Sequence, residues 1–363
     1  MKIEDLSFVS QPGGLWNFYI VRAQLQAAQE LGEQFLRLAQ NTPDSACLLQ
    51  AHFMVGDTFF WCGEFPRARA HLEQDIALDN PQRRCSHAAL YGLDPGIACL
   101  SHAAWTFWVL GYPEQALKRA YQALTVAKEL SHPLSVAWAL WCAGVLHRYR
   151  QERQAAKEQA EALITLATEQ EFPHWVVLGT LLRGWAVTGQ GQREEEIEPM
   201  RQSLATWRAM GAELDRPHCL ALLAEAWGTT GQPEEGLVVL DEALAAVHRT
   251  GEHYCEANLY RLMGELSLQL RSPQSTASDP RPRLPNPQAE AEACFHQAIA
   301  IARRQSAKSF ELRAALSLAR LWQQQGKRAE ASALLAPIYG WFTEGFDTAD
   351  LPEARALLEE LGA

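Results

Sequence analysis

The chain has 363 residues, more than the about 250–300 residues at which a single globular core stops growing. Its 48% hydrophobic and 21% charged residues provide ample material for a continuous core and exclude a largely disordered chain. Asp and Glu (43) outnumber Lys and Arg (32), and the net charge of −11 argues against a broad surface for nucleic acid or anionic membranes.

Nothing in the sequence indicates export or membrane insertion. No stretch approaches the roughly 18 apolar residues that a membrane-spanning helix needs. The first residues, MKIEDLSFVSQPGG, lack the basic start and the apolar core of a secretory signal. The eight cysteines include no C-x-x-C pair, which favours reduced thiols over a disulfide framework. We therefore expect a cytoplasmic protein.

A small residue recurs in apolar stretches at intervals close to 40. The gaps are 48, 39, 41, 40, 40 and 55 residues. Such a period is typical of a helical solenoid built from helix–turn–helix units. The small residue is predicted to let the second helix of a unit pack closely against the first. These positions are Gly56, Ala104, Ala143, Gly184, Ala224, Gly264 and Ala319.

A second marker indicates the turn between the two helices. It follows the small position by seven residues in most units, usually as a glycine that can adopt left-handed backbone. The turn positions are Gly63, Gly111, Arg150, Gly191, Gly231 and Gly326. An alanine generally follows five residues later, at Ala68, Ala116, Ala155 and Ala331, where it is predicted to face the small residue.

The two markers predict an all-α, right-handed superhelix of about eight helical pairs plus a capping helix. Residues 1–13 form an N-terminal tail, and residues 14–363 form one solenoid. Two irregular segments interrupt it: an irregular connection at 79–96 and a Pro-rich flexible insertion at 271–288. The predicted pairs lie at 14–40, 45–78, 97–130, 132–170, 173–210, 215–250, from 253 across the insertion, and at 307–338, with the cap formed by the final ARALLEELGA.

The marker pattern resembles tetratricopeptide repeats, with units stretched from about 34 to about 40 residues. The amino-acid sequence of particular stretches gives a more specific resemblance. Stretches such as SHAALYGLDPGIACLSHAAWTFWVLGYPEQAL and YGWFTEGFDTADLPEARALLEEL resemble the C-terminal repeat region of bacterial signalling proteins that begin with an adenylate/guanylate cyclase domain and a predicted ATPase domain. The resemblance covers residues 14–361. Similar repeats are carried by ATP-dependent transcription regulators of the maltose-regulator type.

This resemblance implies a regulatory or sensory role rather than the family's enzyme activity. The chain has no G-x-x-x-x-G-K-[ST] loop, so no ATPase site can be carried over to it. No H-E-x-x-H motif and no Cys/His spacing typical of zinc is present either. We found no catalytic constellation, and we expect no catalytic residue, no metal and no cofactor.

The candidate site is the concave surface, which the first helix of each pair lines in tetratricopeptide arrays. Residues one after or three before each small position are predicted to point into it. Aromatic residues in such a groove suit a peptide or a sugar-like ligand, and arginine suits a carboxylate or a phosphate. Ordinary packing for the Trp residues and mutual ion pairs for Glu and Arg remain the alternative. The candidates are Trp105, Trp108, Arg183, Trp185, Glu225, Arg261, Glu265 and Arg320.

A second candidate is the irregular connection at 79–96, which holds Arg83, Arg84, His87, Tyr91 and Asp94. Irregular segments on a rigid scaffold often carry function. A simple packing role over mismatched repeats is the alternative for it.

The expected function is non-catalytic binding of a protein segment, a peptide or a small effector in the concave groove, in bacterial signal transduction. The alternative is a sensor module that acts on a cyclase/ATPase or transcription-regulator partner. We expect neither nucleic acid nor membrane as a partner.

Overall fold

The computed structural model describes residues 12–42, 45–78, 84, 92–189, 195–270 and 286–362, and within them it contains seventeen α-helices and no strand. Most of the predicted tail (1–13), connection (79–96) and insertion (271–288) lies outside the described residues. No helix within these ranges combines the length and the apolar character that crossing a membrane requires.

Sixteen helices form eight antiparallel pairs and the last helix follows them, as the two markers predicted. Each first helix packs on its own second helix and on the first helix of the next pair. The helices are α1 Pro12–Val21, α2 Leu25–Ala39, α3 Ser45–Trp61, α4 Phe65–Leu78, α5 Pro95–Val109, α6 Pro113–Leu130, α7 Pro133–Tyr149, α8 Arg153–Glu169, α9 Pro173–Thr188, α10 Ile197–Ala209, α11 Arg216–Thr229, α12 Pro233–Thr250, α13 Glu256–Gln269, α14 Pro287–Arg304, α15 Lys308–Gln324, α16 Arg328–Tyr339 and α17 Asp350–Gly362.

The small positions allow close helix packing inside a pair. A Cβ atom built on Gly184 of α9 would lie 2.5 Å from Cγ of Met200 on α10. A Cβ atom on Gly264 of α13 would lie 2.5 Å from Cε1 of Phe295 on α14. Real Cβ atoms do not approach other atoms so closely, so a side chain at either position would force the facing side chain, or for larger residues the helix itself, to move.

The predicted register is wrong by one residue in the fourth pair. There Arg150 has ordinary helical backbone, and the left-handed residue is Gln151, with φ +61°. Seven residues before Gln151 is Gly144, whose Cβ would meet the second helix at Gln159 Cβ (3.3 Å) and at the carbonyl oxygen of Ala156 (3.9 Å). Gly144, not Ala143, is therefore the small position of this pair. At Gly111, with φ +92°, the left-handed turn lies where it was predicted, whereas Gly191 lies outside the described residues.

The superhelix closes on itself, so that later helical pairs contact earlier ones along its axis. Most of these contacts join helices that are five pairs apart in the chain. In each contact, a residue near the start of a later first helix donates a hydrogen bond to a carbonyl oxygen at the end of an earlier one. The contacts cover the concave face of the early pairs, and all fifteen residues of α5 are buried. The bonded residues are Leu214 with Val21, Tyr254 with Trp61, Ser309 with Trp108, and Arg313 with Tyr149.

Asp215 bonds to residues just before α13, in the next helical pair, rather than capping α11, the role suggested by its position before Pro217. Its backbone φ is +64°, and its carboxylate makes no capping bond. Oδ1 of Asp215 instead accepts a hydrogen bond of 2.5 Å from the hydroxyl of Tyr254, and its N–H donates to Oε1 of Glu252 at 3.0 Å. Burial raises the pKa of Asp215 to about 7, although the bond from Tyr254 and the charge of Arg148 oppose the rise.

We expect Asp215→Asn to weaken the pH dependence of folding. Because its pKa is raised in the folded state, Asp215 keeps its proton there after the unfolded chain has lost it. Its contribution to stability therefore falls as pH rises from about 4 to about 7, by at most about 1.4 kcal/mol per pH unit, and changes little above that. Denaturant melts from pH 4 to 8 measure the effect.

The asparagine variant keeps an acceptor for Tyr254 and should gain stability relative to the wild type as pH rises. Burial also raises the pKa of Glu252, so the slope is reduced rather than abolished. Glu198→Gln, at an exposed carboxylate, is the control. Parallel curves for Asp215→Asn and the wild type would contradict the prediction.

Candidate binding cavity

A cavity of about 350 Å³ lies on the inner side of the C-terminal pairs. Its wall is formed by the end of α7, the following turn and the start of α8, and by residues on α9, α11, α13, α15 and α17. Charged side chains dominate it. The lining cations are Arg148, Arg153, Arg261, Arg313 and Arg320, and the lining anions are Glu225, Glu265, Asp350 and Glu353.

Five of the eight candidate residues line this cavity. They are Trp185, Glu225, Arg261, Glu265 and Arg320. All five stand one after or three before a small position. At these five positions the predicted concave register coincides with the cavity wall. Ligand binding by these residues stays a prediction.

Trp105 and Trp108 do not reach the cavity, and their placement in an open groove is wrong. They are only 1% and 2% exposed. Nε1 of Trp105 donates to the carbonyl oxygen of Cys142 at 2.8 Å, and the ring of Trp108 stacks on Tyr149 with centroids 4.5 Å apart. For Trp108 the reason is the later superhelical turn, which brings Phe310 against it with ring centroids 5.3 Å apart. Trp105 instead packs against Phe60 and Trp61 of the preceding pair. Both Trp residues pack in the core.

Arg183 also lies away from the cavity. It is two residues from Trp185 on α9, so it projects about 200° around the helix from that side chain. Its guanidinium is about one third exposed and forms an ion pair of 3.4 Å with Glu196 beside α10. Arg183 therefore matches the alternative considered for the charged candidates, an ion pair within the protein rather than a groove position.

Most of the irregular connection at 79–96 lies outside the described residues, and only Asp94 can be assigned a clear role. Its side chain accepts a hydrogen bond of 2.9 Å from the N–H of Ile97, which caps α5. Asp94 thus has a helix-capping role, while a functional role of Arg83, Arg84, His87 and Tyr91 stays a prediction.

Glu225 is bound by two cavity side chains. Its Oε1 pairs with Nη2 of Arg148, and its Oε2 accepts a hydrogen bond of 2.6 Å from Nε1 of Trp185. Burial opposes ionisation of this carboxylate, but Arg148, Arg261, the Trp185 bond and Arg153 together lower its pKa below the ordinary value. Glu225 is therefore a fixed negative charge at neutral pH.

The second ion pair is formed by Arg261 and Glu265 on α13, and further hydrogen bonds from α13 and α15 fix both side chains. Nη1 of Arg261 donates to Oε1 of Glu265 at 2.6 Å, and the hydroxyl of Ser317 donates to the same oxygen at 2.8 Å. Nε and Nη2 of Arg261 donate to Oδ1 of Asn258 at 3.1 and 2.9 Å. Burial lowers the pKa of Arg261, but Glu265 and Glu225 outweigh it and raise the pKa overall.

Two further pairs connect the cavity to the capping helix. Nε of Arg313 donates to Oδ2 of Asp350 at 2.9 Å, and Nε2 of Gln151 donates to Oδ1 of the same carboxylate at 2.8 Å. Arg320 pairs with Glu353 in a more exposed position. Planar guanidinium groups held in this way present fixed donors, which suits recognition of polar ligands.

The sequence did not identify Arg148, Arg153, Arg313, Asp350 or Glu353 as parts of this site. Arg148 and Arg153 flank a turn, and Asp350 and Glu353 begin the cap, so none of these four occupies the predicted concave register. The one available signal was chemical: an arginine at both ends of one turn, Arg148 and Arg153, in a chain with more acids than bases.

The chemistry of the cavity wall is set mainly by arginine, carboxylate and amide side chains. The residues that line it include no histidine or cysteine, and the hydroxyl of Ser317 is bonded to Glu265 and to the carbonyl oxygen of Arg313 rather than to a base. No group of three or more His, Cys, Asp or Glu side chains in the described part of the chain is arranged to hold a metal ion.

No protein-family model matches the chain, and no curated protein matches its sequence. In fold it is similar to a Rap protein complexed with competence and sporulation factor, with a TM-score of 0.60, 10% identity, and coverage of 98% of this chain and 97% of that one. It is also similar to the Rap conjugation gene regulator of the plasmid pLS20 in complex with the Phr* peptide, with a TM-score of 0.55, 11% identity, and coverage of 98% and 96%.

A third structure, the signal transduction ATPase with a tetratricopeptide repeat sensor from Pyrococcus horikoshii, gives a TM-score of 0.42 at 14% identity, with 93% of this chain and 49% of that chain covered. This likeness is too weak to support an argument. At such low identities the first two structures show the fold alone. The chain is an all-α solenoid of tetratricopeptide-like repeats.

Proposed function

We propose that this protein is a non-catalytic binding scaffold that holds a short peptide segment or a small effector in the charged cavity. The observation that carries the proposal is the cavity itself: about 350 Å³, lined by residues on seven helices and one turn, with one indole and nine charged side chains on its wall. Small-molecule sites span about 300–1,000 Å³. The space thus suits a few residues of peptide or a small molecule, and not a folded domain.

The side chains of the cavity wall are preorganised for a polar ligand. Four arginine–carboxylate pairs hold their groups in fixed positions, so the side chains need little ordering when a ligand binds. Trp185 also lies on the wall, but it is only 3% exposed and its indole N–H is bonded to Glu225, so little of the ring is open to a ligand. The two Rap structures that share the fold are complexes with competence and sporulation factor and with the Phr* peptide, which favours a peptide as the first ligand class to test.

We expect Trp185→Ala to weaken ligand binding about 10-fold or more, because loss of the indole N–H removes one of the two bonds that hold Glu225 in place. The measurement is the melting temperature of the wild-type protein with mixtures of synthetic pentapeptides and with small metabolites, since a ligand that binds only the folded state raises it. Ligands that raise it are then titrated by calorimetry against both proteins.

Trp341→Ala is the control for loss of an indole outside the cavity. Because Trp341 is 37% exposed and Trp185 only 3%, the free energy of unfolding of both variants is measured beside binding. Binding that Trp185→Ala and Trp341→Ala weaken equally would place the ligand elsewhere. The absence of a melting shift with every peptide and metabolite would overturn the proposal of a small-ligand scaffold.

A sensor role for a cyclase/ATPase or a transcription regulator is the second candidate. The resemblance of residues 14–361 to the repeat region of cyclase–ATPase signalling proteins favours it. Addition of the purified chain to such a cyclase or ATPase, with and without a cavity ligand, tests it. A turnover rate that does not respond to either addition would exclude this role for the enzyme tested.

A further inference from the structure

Every carboxylate on the cavity wall is paired with an arginine, and one arginine is left over. The pairs are Arg148–Glu225, Arg261–Glu265, Arg313–Asp350 and Arg320–Glu353. The fifth lining arginine, Arg153, has no carboxylate oxygen within 4.0 Å in the described part of the chain. The wall therefore carries one positive charge more than its own anions neutralise.

The guanidinium of Arg153 is nevertheless held in a fixed position. Its Cζ lies 4.4 Å from the ring centroid of Trp185, and its Nη1 donates to the carbonyl oxygen of Trp185 at 2.6 Å. On another side it lies against Gly189, where a Cβ atom would be only 2.2 Å from its Cζ. An arginine that served only solubility would not need this support.

Two guanidinium groups lie near one carboxylate at this end of the cavity, and only that of Arg148 pairs with it directly. Cζ of Arg148 lies 5.7 Å from the same Trp185 ring, and Glu225 is the anion between the two arginines and the indole. Arg148 is buried, and its Nε has no hydrogen-bond partner in the structure. Burial lowers the pKa of Arg153 and the charge of Arg148 lowers it further, against the opposing effect of Glu225. An additional anion here would relieve the repulsion.

We propose that the ligand of this cavity carries one carboxylate group, which binds Arg153 beside the indole of Trp185. The inference rests on the proposed function and specifies its ligand. One carboxylate balances the excess charge. A phosphate dianion would bring a second negative charge towards Glu225 and Glu265, so it is disfavoured. The carboxylate can belong to a peptide C-terminus, to an Asp or Glu side chain, or to a small organic acid.

The experiment compares four sets of compounds with the same purified chain by calorimetry. They are pentapeptides with a free C-terminus and no acidic residue, C-terminal amides with one Glu, neutral C-terminal amides, and small monocarboxylic acids. We expect binding in one or more of the sets that contain a carboxylate, and at least 10-fold weaker binding of the neutral amides. The set that binds identifies the source of the carboxylate.

We expect the Arg153→Gln variant to bind the carboxylate ligands at least 10-fold more weakly than the wild type does. The variant should bind an acid and the corresponding amide with equal affinity. Arg201→Gln, which removes an exposed arginine outside the cavity, should leave both affinities unchanged. Neutral amides that bind the wild type as tightly as the acids, or acids that bind Arg153→Gln unchanged, would overturn the inference while the scaffold function stands. Failure of all four sets to bind would overturn both.

A second variant moves the guanidinium without removing its charge. Gly189 has φ −72°, which alanine adopts freely, so Gly189→Ala should fold while its Cβ displaces Arg153 from the Trp185 carbonyl. We expect it to weaken the same carboxylate ligands, at an unchanged cavity charge. Full affinity in Gly189→Ala, together with full affinity in Arg153→Gln, would exclude Arg153 as the carboxylate site.

Discussion

Replacement of Gly184 by leucine is expected to destabilise the protein by about 1–3 kcal/mol or more. A Cβ atom alone would lie 2.5 Å from Cγ and 2.6 Å from Sδ of Met200, which is fully buried. Methionine is flexible and could adapt to one methyl group. A leucine adds further carbon atoms to the same space, so α9 and α10 must separate. Chemical denaturation followed by circular dichroism measures the loss.

Gly14→Leu is the matched control for this change. Gly14 also lies in a first helix, α1, but it is exposed, and no heavy atom lies within 4 Å of its Cβ position. Leucine forms helices more readily than glycine, so this variant should be neutral or slightly more stable than the wild type. Equal stability of Gly184→Leu and the wild type would contradict the packing role assigned to the small positions.

Replacement of Arg313 by methionine is expected to cost about 3–5 kcal/mol, the usual effect of removing one partner of a buried ion pair. Arg313 and Asp350 are 9% and 11% exposed, and Asp350 would keep only its bond from Gln151. The change also removes the bond from Nη2 of Arg313 to the carbonyl oxygen of Tyr149. This one side chain thus joins α15 both to the cap and to the end of α7. Denaturation and amide hydrogen exchange measure the effect.

The exchange pattern distinguishes loss of this connection from general destabilisation. We expect amides of α17 to lose protection first, because the cap depends on the pair with Asp350, while α5 stays protected in the core. Arg355→Met breaks an exposed pair with Glu359, at 71% and 67% exposure, and should leave the free energy of unfolding nearly unchanged. If Arg313→Met costs no more than Arg355→Met, the connection between superhelical turns is not held by this pair.

A double substitution tests the coupling directly. Arg313→Met together with Asp350→Asn removes the unpaired negative charge that the single change leaves buried. We expect it to restore part of the lost stability, and the coupling energy follows from the cycle of the four proteins. Strictly additive losses would mean that Arg313 acts through Tyr149 alone.

Local signals in the sequence determined the helices and their pairing. The small positions and the left-handed turns are properties of single units, and they predicted eight pairs and a cap because each unit packs mainly on its neighbours. The same local register predicted that Trp185, Glu225, Arg261, Glu265 and Arg320 share one surface. The predicted small position of the fourth pair is wrong by one residue because Ala143 and Gly144 are both small. Only the left-handed turn at Gln151 distinguishes them.

Only the tertiary structure decided which part of the concave surface stays open. Gln151 bonds to Asp350 across 199 residues, and Arg313 bonds to Tyr149 across 164. Such contacts depend on the rotation that accumulates over about five pairs, and they leave no periodic trace in the sequence. This stacking buries Trp108, leaves Trp185 on a cavity wall, and brings Arg153 beside it. Local sequence therefore determines the helical repeats, whereas the pitch of the superhelix determines where the cavity lies.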